Sequence, residues 1–434
     1  MYTIVKHTIK NGTFFYFLEK ATKLFFGTLL VLILPQYIRP QDFGFYSLAE
    51  SIQNMAIVIA LFGIEATLVK VLIDAGDKAW PCVLKSALKL RFIGVLISLV
   101  FLSICGIYFI DKAYYLYFAI ISLSVFFSPL NLSEFLFQYK LRFNEIGKLR
   151  FIVAFISGLI RLLAIYSNSP LLYLSISIVI EWALLGGLFF ILSRKSFKKS
   201  STCETYLHRS DFLILREAVP ALLASLSIIV YSRIDQVMLA SILGYSEVAA
   251  YSIVVKLTDS FVFIPALLST IFLPKIYREQ HSIAKKKLLL RNLFNLNLVI
   301  AFLVIVTLLI FSRFILMFYP DDIYKIVPRA MTTYSVCILL NFIGVIVSQI
   351  LIFEGRGMIR LLRLVFGMIC NVVLNFFLIP YYGIFGAIYA TIISLFIANI
   401  LFVITSPATK ELSSIMLNSF CDFITLKAFS LKLW

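Results

Sequence analysis

Twelve long apolar runs recur along the chain, at 13–34, 45–69, 86–110, 114–137, 151–167, 171–192, 217–243, 247–273, 292–318, 326–353, 361–380 and 383–405, with short polar intervals between them. A helix needs about 20 mostly apolar residues to cross a bilayer. Lipid offers no partner to backbone polar groups, so each run must satisfy its own by becoming helical. The pattern predicts an all-α membrane protein with twelve transmembrane helices. The longest polar interval, 193–216, divides these into an N-terminal six-helix lobe (1–200) and a C-terminal one (201–405). The remainder, 406–434, is a moderately apolar tail, expected on the cytoplasmic side with the character of an interfacial helix.

The two halves resemble one another. An offset of 205 pairs Asp42 with Glu247, Gly44 with Ala249, Tyr46-Ser47 with Tyr251-Ser252, Leu34 with Leu239 and Lys70 with Lys275. An even number of spans per half gives both halves one orientation, so they read as parallel repeats. Two parallel six-helix bundles around a central cavity is a transporter plan.

Composition narrows the class. Hydrophobic residues make up 61% of the 434 and charged residues only 14%, against about 25% charged in a soluble chain. The net charge of +17 invites a nucleic-acid reading, but the basic residues alternate with the spans. With the N-terminus inside, 29 of the 39 Lys and Arg fall in inner segments, such as Lys70–Arg91 and Arg194–Arg216, and Arg39, Lys112, Lys325 and Arg329 lie outside. The positive-inside rule therefore places both termini in the cytoplasm, and no charge is left for nucleic acid to explain.

Catalytic chemistry finds no foothold. The six cysteines are scattered and read as small apolar fillers, and His7, His208 and His281 stand apart from any acidic or thiol cluster. No metal centre and no cofactor are expected. There is no phosphate-binding GxxxxGK[ST] loop, and Asp321-Asp322 reads as a solvated turn. The first apolar run lacks a small-residue cleavage site and reads as helix one rather than a signal peptide. Gly186-Gly187, Gly344 and the Gly383/Gly386 run read as close helix packing.

The informative charges are those inside the spans: Lys20, Lys23, Arg161, Arg233, Lys256 and Arg313, with Glu19, Glu181, Asp235 and Asp259 nearby. A cation at mid-bilayer costs about 2.5–3.5 kcal/mol, so it faces a wet cavity or a partner. Glu19, Lys20 and Arg313 lie near span ends, where snorkelling is the cheaper account. The deeper Lys23, Arg161, Arg233 and Lys256 are the candidate binders of an anionic headgroup such as a diphosphate. Glu181 is placed to neutralise Arg161. Asp235 and Asp259 are the candidate ion-coupling carboxylates, or structural ion-pair partners.

Three segments carry a family resemblance: LPQYIRPQDFGFYSLAESI (34–52), RIDQVMLASILGYSEVAAYSIVVKL (233–257) and NVVLNFFLIPYYGIFGAIYATIIS (371–394). In them the chain resembles the polysaccharide-transport branch of the multidrug/oligosaccharidyl-lipid/polysaccharide exporter superfamily, nearest to bacterial O-antigen repeat-unit flippases. Arg233, Asp235 and Lys256 lie within these segments; Lys23 and Arg161 rest on the physical argument alone. The resemblance implies a V of two lobes with alternating access in a bacterial inner membrane. It implies an undecaprenyl-diphosphate-linked oligosaccharide as cargo, an O-antigen or similar unit bound for lipopolysaccharide, and a polymerase and chain-length regulator as partners. Two other readings stand beside it. A multidrug exporter of the same superfamily would favour an acidic or apolar cavity. A membrane polysaccharide polymerase would be expected to show a large outer loop or an acidic cluster.

Overall fold

The computed structural model describes residues 2–197, 204–278, 282–319 and 321–425. The chain folds first as α1 (Tyr2–Ile33), α2 (Pro40–Leu61) and α3 (Leu68–Phe109), the last broken at Gly76, where φ is +72°. A 3₁₀ stretch (Leu123–Leu132) joins α4 (Tyr115–Ser122) to α5 (Ser133–Tyr139), before α6 (Phe143–Ile165) and α7 (Pro170–Phe197). There follow α8 (Glu204–Leu243), α9 (Tyr245–Asp259), α10 (Phe263–Arg278), α11 (Ile283–Phe314), α12 (Val327–Tyr334) and α13 (Val336–Phe353). The series closes with α14 (Gly357–Tyr382), α15 (Ile384–Phe396), a π-helical turn (Ile397–Leu401), α16 (Phe402–Thr405) and α17 (Lys410–Ile424). Among the described residues there is no strand.

Ten helical stretches among the described residues are long and apolar enough to cross a membrane. The chain is a multi-pass, all-α membrane protein. Its most apolar faces point outward, as lipid solvation requires: Phe92, Leu96 and Ile107 on α3 are all exposed. The spans expected at 13–34 and 151–167 do form helices, α1 and α6, but are not among the ten. Their charges explain it. Glu19, Lys20 and Lys23 interrupt α1, and Glu145, Lys148, Arg150 and Arg161 interrupt α6. These two helices pack along one another. Phe26 of α1 lies where a Cβ on Gly158 of α6 would come within 2.3 Å of its ring. The two expected spans that carry these charges are thus each other's partners.

The chain divides into two compact units, Met1–Arg233 and Ile234–Trp434, so the division falls inside α8. The boundary expected between residues 200 and 201 lies outside the described residues. In the first unit Leu68, Leu72, Val83, Leu84 and Leu136 build the core, joined by Ile214 and Ala218 of α8. In the second, Leu273, Leu293, Phe294, Ile346 and Val347 do so. The tail enters this second core. Leu412, Ile415 and Met416 of α17 are buried in it, and Asp422 receives both arms of Arg291 from α11.

The repeat is visible in the element bounds. Helices α2 and α9 begin at 40 and 245, and α3 and α11 end at 109 and 314, each pair 205 apart. Tyr46 and Tyr251 are both fully buried, whereas Lys70 and Lys275 are both exposed. Further along, the offset becomes 214. Helices α6 and α14 begin at 143 and 357, and α7 and α15 at 170 and 384. The turns before α6 and α14 match: Arg142 N–H donates to Phe137 O at 2.9 Å, and Arg356 N–H to Leu351 O at 2.8 Å. Each turn holds one left-handed residue, Leu141 (φ 56°) or Gly355 (φ 72°). The second unit has absorbed nine extra residues between its α11 and α14, where the short helical turns 315–318 and 322–326 lie.

Close packing accounts for Gly186, Gly344 and Gly386, but not for Gly187, where an added Cβ meets nothing within 4 Å. At Gly386 that Cβ would sit 2.2 Å from Leu378 O. Gly386→Ala should therefore cost about 1–3 kcal/mol, read as a fall in Tm of the purified protein. Gly187→Ala should leave Tm unchanged or slightly raised. Equal Tm values for the two variants would contradict this packing.

Candidate functional site

In the first unit, Glu181 of α7 gathers cations from two helices. Lys23 of α1 approaches Glu181 Oε1 at 3.7 Å, and Arg161 of α6 donates to Glu181 Oε2 at 2.6 Å. The neutralisation of Arg161 by Glu181 is therefore as expected. Lys23 also pairs with Glu19 one helical turn earlier, at 3.3 Å. Glu19 is fully buried, so it does not snorkel; its partner compensates it in place. Deeper in the same unit, Arg150 of α6 donates to Glu134 Oε2 at 2.8 Å, and Gln138 donates to the other oxygen at 3.1 Å. A cavity of 180 Å³ lies between these groups, lined by Glu19, Lys23, Glu65, Asn131, Arg150 and Glu181. Its charge is mixed rather than cationic. Lys23, Arg150 and Arg161 each meet a carboxylate.

The second unit holds the two candidate coupling carboxylates, each against a tyrosine. Asp235 of α8 is buried and accepts from the Tyr251 hydroxyl of α9 and from Gln236 N–H at 2.8 Å. Asp259, at the end of α9, accepts from the Tyr334 hydroxyl of α12 at 3.4 Å. The Tyr251 and Tyr334 rings meet edge to face, 6.3 Å apart, which sets the two pairs side by side. Thr391 of α15 donates to Ala387 O at 2.9 Å. Asn371 of α14 donates to Ser394 at 3.2 Å and Thr391 at 3.5 Å, and accepts from Asn375 at 3.0 Å.

The remaining candidates are less tightly held. Arg233 is half-buried on α8, and its buried Nε makes no hydrogen bond among the described residues. Lys256 is half-buried on α9, three residues before Asp259 and on the same helix face. Arg233 belongs to the first unit and Lys256 to the second.

Two further arginines emerge, both counted among inner-edge cations in the sequence. Arg91 of α3 is fully buried, donating to Ser128 O at 3.1 Å and pairing with Glu65 at 3.5 Å. Arg363 of α14 is fully buried as well. It donates to Asn399 Oδ1 at 2.7 Å, to Gly344 O at 3.1 Å and to the Ser348 hydroxyl. Asn399 sits in the π-helical turn and donates in turn to Leu340 O at 2.9 Å. The signal for both arginines lay in their apolar flanks, Leu88–Ile93 and Ile359–Phe366, which continue into the spans.

Cys105, Cys337, Cys370 and Cys421 are free thiols, and Cys82 is buried. His281 and Cys203 lie outside the described residues. Asp322 pairs with Lys325 at 2.7 Å on the surface, and that ammonium holds its carboxyl below the usual range, as suits a solvated turn. Among the described residues, no group of three or more His, Cys, Asp or Glu is placed to hold a metal ion.

The sequence profile described as "Polysaccharide biosynthesis protein" matches residues 9–278. No curated protein matches the chain. Among solved structures, the lipid II flippase MurJ in an inward closed conformation superimposes with a TM-score of 0.70 at 15% identity, covering 97% of this chain and 93% of that one. The eukaryotic MATE transporter AtDTX14 gives 0.61 at 11% identity, covering 96% and 99%. A MOP-superfamily transporter from Pyrococcus furiosus, described by the reverse polarity of its binding pocket, gives 0.62 at 12% identity, covering 94% and 97%. At these identities the likeness is one of fold.

Removing the Arg363 fork leaves Asn399, Gly344 and Ser348 without their donor. Hydrogen bonds to a charged group contribute about 1.5–3 kcal/mol each, so Arg363→Ala should cost at least about 3 kcal/mol. Arg363→Lys should recover little, because an ammonium cannot present the planar fork. Thermal melts of both variants check this, and a wild-type Tm for Arg363→Lys would contradict it.

Proposed function

The chain belongs to the polysaccharide biosynthesis protein family, and from that premise we propose that it is a flippase for lipid-linked oligosaccharide. Its cargo is an undecaprenyl-diphosphate-linked unit of the O-antigen kind, carried from the cytoplasmic to the periplasmic leaflet of a bacterial inner membrane. The reading rests chiefly on one observation: Lys23 and Arg161, from two membrane helices, converge on one carboxylate beside a polar cavity. Paired cations at one point suit a diphosphate, whose adjacent phosphates each take a charge-assisted hydrogen bond. Arg233 and Lys256 are the further headgroup ligands in this proposal. The sugars follow the head into the aqueous space while the polyprenyl chain stays in lipid. The chain's likeness in fold to a lipid II flippase supports the same class of cargo. The two lobes, taken as 1–200 and 201–405, alternate access between leaflets, with both termini and the tail in the cytoplasm. A polymerase and a chain-length regulator act on the delivered unit.

Asp235 and Asp259 couple transport to a cation or proton in this scheme. Tyr251 and Tyr334 each hold one of them by a hydrogen bond, so a gain or loss of positive charge there repacks buried groups.

One observation favours the exporter alternative: Glu19, Glu65 and Glu181 line the same cavity, and carboxylates attract cationic cargo. Proteoliposomes separate the two readings. Wild-type protein should flip a diphosphate-linked oligosaccharide, and Lys23→Ala or Arg233→Ala should lower the rate at least about 10-fold while both still insert. Uptake of a cationic dye with no lipid flipping would establish the exporter. An imposed proton or sodium gradient should accelerate the wild type but not Asp235→Asn; equal acceleration of both would remove Asp235 from coupling.

A further inference from the structure

We propose that Glu181 is a tethered stand-in for the cargo's anionic head, which the diphosphate must displace from Lys23 and Arg161. This deepens the flippase reading and rests on it. The geometry is that of a ligand. The two oxygens of one carboxylate are divided between two cations on different helices, Oε1 toward Lys23 and Oε2 toward Arg161. A diphosphate presents its two phosphates in the same way.

The second repeat shows that this pair is not needed to join the helices. At the offset of 214, Arg161 corresponds to Asn375 and Glu181 to Leu395. There α14 and α15 are joined by the neutral bonds of Asn371 to Ser394 and Thr391. The contact between α6 and α7 could be held in the same manner, yet the first unit carries an ion pair instead. A charged pair within the membrane is a poor structural glue, since desolvation consumes much of its attraction.

The pair is also reachable. The Lys23 side chain is 48% exposed and that of Glu181 19%, and both line the 180 Å³ cavity. In the unloaded protein Glu181 keeps the two cations compensated, so the empty carrier changes state without moving bare charge through a low dielectric. When the head binds, Glu181 is released, and α7 loses its tie to α1. Cargo binding and the loosening of α7 are then one event.

The test measures binding of farnesyl diphosphate, a short prenyl diphosphate, to the full chain in lipid nanodiscs. Wild type, Glu181→Gln and Glu19→Gln are compared. Removing the competing carboxylate should tighten binding about 10-fold in Glu181→Gln. Glu19→Gln, which leaves Arg161 clamped, should change it less than about 3-fold. Glu181→Asp, whose shorter side chain cannot span both cations, should fall between wild type and Glu181→Gln, and serves if the Gln variant does not fold. Unchanged or weaker binding in Glu181→Gln and Glu181→Asp, with the wild type binding well, overturns the stand-in and leaves the flippase reading intact. No binding by any form overturns both.

Discussion

A charge in lipid must be compensated where it stands, and the organisation of this chain follows from that constraint. The two helices too polar to rank among the membrane spans, α1 and α6, lie against each other. Between and beside them, Glu19, Lys23, Glu181, Arg161, Arg150 and Glu134 are tied in pairs. Apolar burial cannot hold such helices in a bilayer, because lipid tails are as apolar as leucine. Mutual neutralisation lets such charges lie side by side and leaves a cavity of mixed charge within the first unit. The outward faces of the other helices remain free to meet lipid.

Duplication supplied two copies of this plan, and the copies diverged in charge. Where the first unit has Leu30, Ser157, Arg161 and Ser177, the second has Asp235, Asn371, Asn375 and Thr391. The tyrosine is kept in both, as Tyr46 and Tyr251, and both are fully buried. The first copy acquired a fixed cation with its own carboxylate. The second acquired a carboxylate held by a tyrosine and neutral amides. In the proposed scheme the first repeat takes the anionic head and the second a mobile cation. This difference in charge is the physical basis for proposing coupled transport.

Much of this was legible in the sequence, and what was not has a physical cause. Hydropathy marked the helices because the lipid constraint acts on every residue of a span. The repeat showed at Tyr46-Ser47 and Tyr251-Ser252, which are buried in both units. The Arg161–Glu181 pair was foreseen because both residues stand inside apolar runs. Arg91 and Arg363 were counted as inner-edge cations despite their apolar flanks, because charge near a span end looks the same whether it is solvated or tied to buried acceptors. Nothing local in the sequence distinguishes Ser128 O or Asn399 as such an acceptor. The mixed charge of the cavity was also hidden, since Glu65 reaches it, and Glu134 its lining residue Arg150, from elements far apart in sequence.

The central claim is that this chain moves a lipid-linked glycan between leaflets. Leaflet-specific labelling of the sugar, in cells lacking the protein, tests it most directly. The account predicts lipid-linked units held in the cytoplasmic leaflet, with surface polysaccharide lost and both restored by the wild-type chain. Units that reach the periplasmic leaflet at the normal rate without the protein would contradict it.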